Sequence, residues 1–310
     1  MFKTEQLRKF YGFLTERQNI WHKRFVEKLP PPWTDDPILQ ANHCCNVYRE
    51  LDKGTKYVTE AIIPSSTKPE DVLFRILLYR MFNEINSYRA MKPVLTKFTA
   101  YDAANILLKR QQNGHHVFRN AWLTAGTGLH GPGSKIQDYC RVAEGVYINR
   151  RQFYKTMKSA KGIKAGWDSL RQVKWMGGFM GYQVALDFSY IPWMDWEDDG
   201  WVYVGPGAKK GIYWLKGESP ITDHDLRELE FEQKRPIDFE KYIRVLQRKQ
   251  GIYFKKFGLN FRKWDGKELD QHNIEFALCE FNKVLRAGHG GKRKRYVYNE
   301  GKGIGVSAMS

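Results

Sequence analysis

The sequence predicts a mostly α-helical protein, on three observations. Apolar residues recur every three or four positions through most of the chain, and convincing alternating strand patterns are few. Hydrophobic residues make up 42% of the 310 residues and aromatic residues 15%, so the chain can bury a substantial core. We therefore expect one helical domain at 1–290, built as a single body or as two lobes around a cleft. A basic, glycine-rich and mobile tail is expected at 291–310.

The helices are predicted in chain order from their apolar spacing and their start and stop signals. Three consecutive prolines end the first helix, and Thr34, Asp35 and Asp36 offer an N-cap for the second. Gly177 and Gly178 interrupt the segment 167–188 and divide it into two short helices. The other predicted helices are 5–29, 37–51, 70–88, 99–112, 136–158, a helix from Thr222, 239–250 and 271–286.

The charge balance indicates a polyanionic partner and excludes several other classes. The chain has 51 Lys and Arg against 34 Asp and Glu, a net charge of +17. The sequence contains no run of 18 apolar residues, so we expect no membrane span. The opening residues lack the pattern of a secretory signal. Four cysteines without a CxxC pair favour reduced thiols and no zinc site. We expect no required cofactor, and the sequence leaves the need for a divalent metal open.

Two glycine-rich segments lie beside lysines, at 128–135 (GLHGPGSK) and 205–212 (GPGAKKGI). Neither has the residue order of a nucleoside-triphosphate loop, so we expect no kinase of that type. The second segment is a candidate phosphate cradle, since glycine amides and two lysines would meet at a helix start. The alternative is a capping turn with solvated lysines. The residues predicted to bind phosphate here are Gly205, Gly207, Lys209 and Lys210.

The segment 174–187 (KWMGGFMGYQVALD) has the layout of a helix-hairpin-helix element, in which backbone amides contact a DNA phosphate. An ordinary helical hairpin is the alternative interpretation. We place Tyr182 and Gln183 of its second helix in the pocket for the base. Asp187, at the end of that helix, is a candidate catalytic carboxylate, or else a cap or an ion-pair partner.

Further polar residues lie among apolar ones on the predicted helices. Asn46, Arg49 and Asp52 fall at i, i+3 and i+6, and Arg80 and Asn83 lie on the next helix with Arg75. They predict either a polar floor for an extruded base or buried structural ion pairs. Glu280 precedes Lys283 by three residues, which favours a surface pair. If Glu280 is buried, it becomes a candidate general base.

Several basic runs are interleaved with aromatic residues, a combination that suits phosphate neutralisation together with stacking on an unpaired base. Solvated surface charge is the alternative. The residues that we predict to contact DNA phosphates in these runs are Arg17, Lys23, Arg24, Lys292 and Arg293.

Taken together, these motifs resemble a known family. The segments FYGFLTERQNIWHKRF, PPWTDDPIL, NVYRELDKGTKYV, FRILLYRMFN, GGFMGYQVALD, GPGAKKGI and HNIEFALCEFNKV follow one another between residues 10 and 284. They resemble the phage α-glutamyl/putrescinyl thymine pyrophosphorylases, also called amino acid:DNA transferases, and the related helical domain of 5-hydroxymethyl-deoxyuridine DNA kinases. Gly181 departs from the alanine expected in such motifs.

The resemblance implies a helical fold similar to that of DNA glycosylases and a reaction on DNA. A transferase of this kind replaces pyrophosphate on 5-pyrophosphorylmethyl-deoxyuridine with an amine from an amino acid or a polyamine, acting on a flipped base. Asp187 or Glu280 would accept the proton, and Lys209 and Lys210 would neutralise the leaving group. A 5-hydroxymethyluracil DNA kinase would be the functional partner, in the cytoplasm of a phage-infected bacterium.

Three other functions remain open at this point. A DNA glycosylase would use the same fold and the same flipped base. A non-catalytic DNA-binding subunit would deliver modified DNA to a separate kinase and turn nothing over. A kinase with an unrecognised nucleotide site would consume ATP.

Overall fold

A computed structural model describes residues 2–119, 135–174, 176–196, 200–219, 222–231 and 237–288. These residues form helices, turns and irregular connections and no β-strand, which confirms the mostly α-helical prediction. The chain divides into two compact units: unit 1 comprises residues 1–52 and 204–310, and unit 2 comprises residues 53–203. No helix among the described residues is long and apolar enough to cross a bilayer.

Unit 1 is assembled from both ends of the chain. Helix α1 (Thr4–Trp21) packs against α11 (Pro206–Lys216), α14 (Gln250–Lys256) and α15 (Gln271–Gly288), and α11 lies along α15. The α-helices of this unit are α1 (Thr4–Trp21), α2 (Pro37–Ala41), α11 (Pro206–Lys216), α12 (Asp223–Phe231), α13 (Phe239–Arg248), α14 (Gln250–Lys256) and α15 (Gln271–Gly288). A π-helical turn covers His22–Val26, and 3-10 turns cover Arg49–Leu51 and Trp264–Gly266.

Two glycines explain how α11 and α15 approach closely. A Cβ added to Gly211 would lie 2.6 Å from the main-chain oxygen of Leu278, and one added to Gly207 would lie 2.5 Å from the Sγ of Cys279. The absence of a side chain at both positions lets the backbone of α11 lie directly against main-chain and side-chain atoms of α15. Apolar side chains of α15, including Ile274 and Leu278 at 0% exposure, are buried in the core of this unit.

Unit 2 is built around α4 (Pro69–Phe82), which packs against α5 (Ile85–Met91), α7 (Lys135–Ile148), α8 (Arg150–Ser159) and α10 (Gly178–Ser189). Every residue of α4 from Val72 to Phe82 is buried, including Arg75 and Arg80, so this helix is surrounded by the rest of unit 2 on all sides. The α-helices of unit 2 are α3 (Lys53–Tyr57), α4 (Pro69–Phe82), α5 (Ile85–Met91), α6 (Ala100–Gln112), α7 (Lys135–Ile148), α8 (Arg150–Ser159), α9 (Ile163–Leu170) and α10 (Gly178–Ser189). A π-helical turn covers Val58–Ile62, and 3-10 turns cover Ile63–Ser65 and Lys92–Val94.

The helices predicted at 99–112 and 271–286 are present almost as predicted, but several other boundaries differ. The predicted helix 37–51 was wrong beyond Ala41, because Asn42 donates its side-chain amide to the carbonyl of Ile38 over 2.8 Å and ends α2. The predicted helix 70–88 is two helices, divided at Asn83, whose φ of 49° is left-handed. The predicted helix 136–158 is also two, broken at Asn149.

The remaining boundaries differ less. The first α-helix ends at Trp21 rather than at 29, and the chain continues through the π-helical turn to Lys28, whose φ of 54° stops the helix. Two short helices, α9 and α10, are present near the predicted segment 167–188, but α9 begins at Ile163 and ends at Leu170, and Gly178 begins α10 instead of interrupting a helix.

Candidate functional site

Unit 1 brings together four of the predicted site residues, Asn46, Arg49, Asp52 and Glu280. With Lys283 we call them the Asp52 cluster. The i, i+3, i+6 helical spacing predicted for the first three was wrong, because residues 42–48 are not helical. They meet through a turn instead. The main-chain N–H of Asn46 donates to the Asp52 carboxylate over 3.0 Å, and its side-chain amide donates to the carbonyl of Leu51 over 2.9 Å.

The Asp52 carboxyl is unusually basic. Its pKa is raised to about 6, mainly by burial and to a smaller extent by the Glu280 carboxylate, while the Asn46 N–H and the Arg49 guanidinium oppose the shift. The residue as a whole is half-buried. A pKa close to neutral suits a group that takes up a proton at physiological pH.

Glu280 is 6% exposed and forms an ion pair with Lys283, three residues further along α15. Glu280 is therefore both paired with Lys283, as one interpretation of the sequence predicted, and buried, as the other required. Burial lowers the pKa of the Lys283 ammonium, but Glu280 outweighs this and the net pKa is raised. The Cys45 thiol, also half-buried, has its pKa raised first by burial and then by Glu280 and Asp52. Cys45 is therefore a protonated neighbour rather than a nucleophile.

A further carboxylate, Glu275, lies beneath the start of α11. Its Oε1 accepts a hydrogen bond from the main-chain N–H of Gly205 over 3.1 Å, and it is 4% exposed. Burial raises its pKa to about 7, against the opposing effect of the Gly205 N–H and of Arg49. Sequence reasoning missed Glu275, because its partner lies 70 residues away and no local pattern links the two.

Arg49 is held in place by α15. Its main-chain N–H donates to the Asn273 side-chain oxygen over 3.0 Å, and its guanidinium lies 4.8 Å from the centre of the Phe276 ring. Arg49 is 3% exposed. This anchoring fixes the turn that carries Asp52 against the helix that carries Glu280.

The segment 205–212 is the first part of α11 and not a separate loop. Lys209 pairs with Glu230 over 2.7 Å, and Lys210 pairs with Asp223 over 2.5 Å. The Gly205 N–H already has the Glu275 carboxylate as acceptor. Gly207 lies in the helix contact described above. A phosphate-binding role for these residues stays a prediction, and their observed partners are carboxylates of the protein.

Unit 2 holds the other predicted pocket residues. Both oxygens of Asp187 accept hydrogen bonds from Arg80, the second over 2.9 Å, and the side chains are 0% and 2% exposed. Arg80 also donates to the Asn83 oxygen over 3.1 Å. The structure therefore places Asp187 in a buried ion pair, one of the three alternatives stated above. Its catalytic role stays an untested prediction that this burial does not favour.

Tyr182 and Gln183 are both completely buried on α10. The Tyr182 ring packs edge-on against Trp201 with centroids 5.8 Å apart and lies near Tyr203 at 5.9 Å. The two side chains are therefore part of the unit 2 core.

Helices α9 and α10 pack on each other as a hairpin. The Trp167 indole N–H donates to the carbonyl of Gly178 over 2.8 Å, and a Cβ on Gly181 would lie 3.3 Å from the main-chain oxygen of Met176. The N-cap of α10 is Gly177, which has no side chain to cap the helix. The helix-hairpin-helix assignment stays a prediction.

The predicted DNA-contacting residues have different surroundings. Arg17 is 5% exposed and donates to the carbonyls of Cys44 and Cys45 over 2.8 and 3.1 Å, so the structure does not place it on the surface. Lys23 is half-buried and donates to the Trp33 carbonyl over 3.0 Å. Arg24 lies 5.0 Å from the Trp33 ring centre. Lys292 and Arg293, like the rest of the predicted tail, lie outside the described residues.

One group of side chains in the described part of the chain has metal-ligand spacing. Ligand atoms of His224, Asp225 and Glu228 on α12 lie within 4.8 Å of one another. Asp225 already accepts hydrogen bonds from Thr222 at the start of the helix.

The fold and the site define an α-helical protein of two compact units, with carboxyl groups whose pKa values are raised by burial and with a strongly basic composition. Comparison with known proteins gives the family. The chain belongs to the family of the 5-hmdU DNA kinase helical domain, whose model matches residues 4–294. It is 25% identical over 292 residues to the 5-hmdU DNA kinase of Bacillus phage SP10. That alignment covers 88% of this chain and 44% of the phage protein, so the chain spans less than half of that relative's length. No solved structure matches the chain significantly.

Proposed function

We propose that this protein modifies thymine-derived bases in phage DNA, by transferring an amine onto 5-pyrophosphorylmethyl-deoxyuridine with release of pyrophosphate. The family membership supports the coarse assignment to modification of DNA thymine. The observation that carries the transferase is Asp52, a half-buried residue whose carboxyl pKa is raised to about 6 beside the ion pair of buried Glu280 with half-buried Lys283.

The chemistry needs one new bond and one broken bond at the C5 methylene carbon. The nitrogen lone pair of the amine forms the C–N bond, and the C–O bond to pyrophosphate breaks with its electron pair going to the leaving oxygen. The nitrogen then carries an excess proton, which Asp52 accepts. A carboxyl with a pKa near 6 is ionised at pH 7 and yet more basic than an ordinary aspartate.

Positive charge in the same cluster suits the departing anion. Lys283 stays protonated because Glu280 lies against it, and Arg49 lies close enough to lower the pKa of Asp52. Fixed cations placed where negative charge develops lower the barrier, since they need no reorganisation during the reaction. Asn46 orients Asp52 through its main-chain N–H.

A second candidate function follows from the named relative. The phage SP10 protein is a 5-hmdU DNA kinase, and this chain matches only 44% of its length. The corresponding proposal is a helical module that binds 5-hydroxymethyluracil DNA for a kinase and carries out no chemistry itself. The expected setting in both cases is the cytoplasm of a phage-infected bacterium.

Nucleoside mass spectrometry tests the two proposals. A short DNA carrying one 5-pyrophosphorylmethyl-deoxyuridine is incubated with the protein and pooled amino acids and polyamines, then digested. The transferase predicts loss of pyrophosphate and gain of one amine mass. An unchanged nucleoside, from protein that binds this DNA, contradicts the transferase and favours the binding module.

Parallel reactions address the remaining alternatives. An abasic site and free base would identify a glycosylase. Phosphorylation of 5-hydroxymethyl-deoxyuridine with consumption of ATP would identify a kinase. Reactions with Asp52→Asn and with the exposed control Asp265→Asn separate a requirement for Asp52 from a general loss of charge.

A further inference from the structure

Unit 2 contains an open groove of about 720 Å³ that none of the predicted site residues lines. Helices α7, α8 and α9 and the turn at 171–174 form its walls, and we call it the α7–α9 groove. Its volume lies in the range of pockets that hold small ligands. Its floor is apolar and consists of Val142, Val146, Phe153, Met157 and Val173.

The rim of the α7–α9 groove is rich in amide side chains. Asn149, Gln152 and Gln172 line it and are exposed. An amide offers both a donor and an acceptor, which is the combination that reads the edge of a nucleobase. Phe153 is half-buried beside them, with its ring edge-on to Phe188 at 6.1 Å. A planar heterocycle therefore finds both an apolar floor with an aromatic ring and hydrogen-bonding groups at its edge.

The chain around the groove carries a net positive charge, which favours an anionic ligand. Between residues 141 and 174 the chain has nine Lys and Arg and only two Asp and Glu. Four of these cations, Arg150, Arg151, Lys158 and Lys164, form ion pairs with carboxylates. Arg141 and Lys174 line the groove itself and are exposed. Asp138 also lines the groove but is only 1% exposed, so the exposed charge at the rim is positive. This balance disfavours a polyamine in the groove and favours a phosphate-bearing ligand.

We propose that the α7–α9 groove binds an unpaired nucleotide of a DNA strand. The base lies on the apolar floor beside Phe153, the amides contact its edge, and the rim cations contact the adjoining phosphates. The inference rests on the proposed function in one respect, that DNA is the substrate. It adds a binding position for the strand, separate from the chemistry assigned to the Asp52 cluster.

Fluorescence anisotropy with a labelled, unmodified (dT)15 strand tests this proposal. The double variant Gln152→Glu/Gln172→Glu adds two negative charges to the exposed rim, and we expect it to weaken binding at least tenfold at about 100 mM salt. The matched control is Gln111→Glu/Gln112→Glu, which adds the same charge to exposed positions on α6 outside the groove. We expect less than a threefold change for the control. Equal weakening in the two variants, or none in either, overturns the proposal.

A second variant tests stacking without changing charge. Phe153→Leu keeps an apolar floor but removes the ring, and we expect binding of (dT)15 to weaken about fivefold to tenfold. Phe153→Tyr keeps the ring and should restore the affinity to within twofold of the wild type. Wild-type affinity in Phe153→Leu would refute the stacked base.

Competition with thymidine 5′-monophosphate shows whether the groove prefers a DNA strand or a free nucleotide. The proposal predicts that (dT)15 binds more tightly than the mononucleotide. Tighter binding of the mononucleotide, weakened by the rim variant, would reassign the groove to a free nucleotide. Because (dT)15 undergoes no reaction, failure here leaves the transferase to be judged by the nucleoside masses alone.

Discussion

The buried pair of Arg80 and Asp187 gives the sharpest prediction about stability. Arg80→Met removes the guanidinium and leaves Asp187 at 0% exposure without its two-pronged partner. Removing one member of a buried ion pair costs about 3–5 kcal/mol, because the remaining charge has lost its partner and cannot reach water. We expect the variant to lose that amount of unfolding free energy.

Urea unfolding followed by far-UV circular dichroism measures this loss. Arg151→Met is the matched control, because Arg151 is 86% exposed and lies 3.9 Å from Glu70, an arrangement worth at most about 1 kcal/mol. The double variant Arg80→Met/Asp187→Leu removes both charges. We expect it to recover more than half of the loss, because no charge then remains buried.

Two results would refute this reasoning. Equal unfolding midpoints for Arg80→Met and Arg151→Met would show that the pair is not buried as described. A double variant no more stable than Arg80→Met would show that the isolated charge of Asp187 is not the source of the loss.

Two further predictions concern unit 1. Because burial raises the pKa of Glu275 to about 7, the folded protein binds a proton there that the unfolded chain has released, so stability falls as pH rises from about 4 to 7. In Glu275→Gln the side-chain amide oxygen still accepts from the Gly205 N–H. Between pH 5 and pH 8 the unfolding free energy measured in urea should fall by about 2–3 kcal/mol less in this variant than in the wild type. An equal fall in the two proteins would contradict a buried carboxyl at Glu275. Gly211→Ala places a Cβ 2.6 Å from the Leu278 main-chain oxygen and should cost about 1–3 kcal/mol, whereas Gly12→Ala on α1 meets no atom within 4 Å and should be neutral or stabilising. Thermal unfolding compares these two variants, and similar melting temperatures would refute the close contact of α11 with α15.

Local patterns predicted the parts of the fold that depend on neighbours in sequence. Helix α15 has an apolar stripe, and α6 has Thr99, whose hydroxyl accepts from the Asp102 N–H as an N-cap. The break at Asn83 could not be predicted in the same way. Nothing in the apolar spacing of 70–88 marks a left-handed residue, and the apolar period continues past it.

The sequence analysis named four residues of the Asp52 cluster but not their geometry, and it placed Asp52 in the base pocket and the catalytic role on Asp187 or Glu280. Asn46, Arg49, Asp52 and Glu280 were chosen as polar residues among apolar ones, and that criterion does not depend on the helix that was wrongly assigned. Contacts between distant parts of the chain could not be predicted from local patterns. An example is the hydrogen bond between Glu275 and Gly205, which are 70 residues apart. Sequence reasoning also had no means to divide the predicted pocket residues between two units of the chain.

The central claim is that Asp52 accepts the proton during amine transfer, and one measurement tests it most directly. Pyrophosphate release from the modified oligonucleotide, with one excess amine, is followed from pH 5 to pH 8 for the wild type and Asp52→Asn. Taking the ratio of the two rates removes the titration of the amine itself. With the pKa of Asp52 near 6, we predict that the wild-type rate divided by the Asp52→Asn rate is constant above pH 6, at about 100 or more. Below pH 6 this ratio should fall about tenfold per pH unit. A ratio near 1 at every pH would contradict the account.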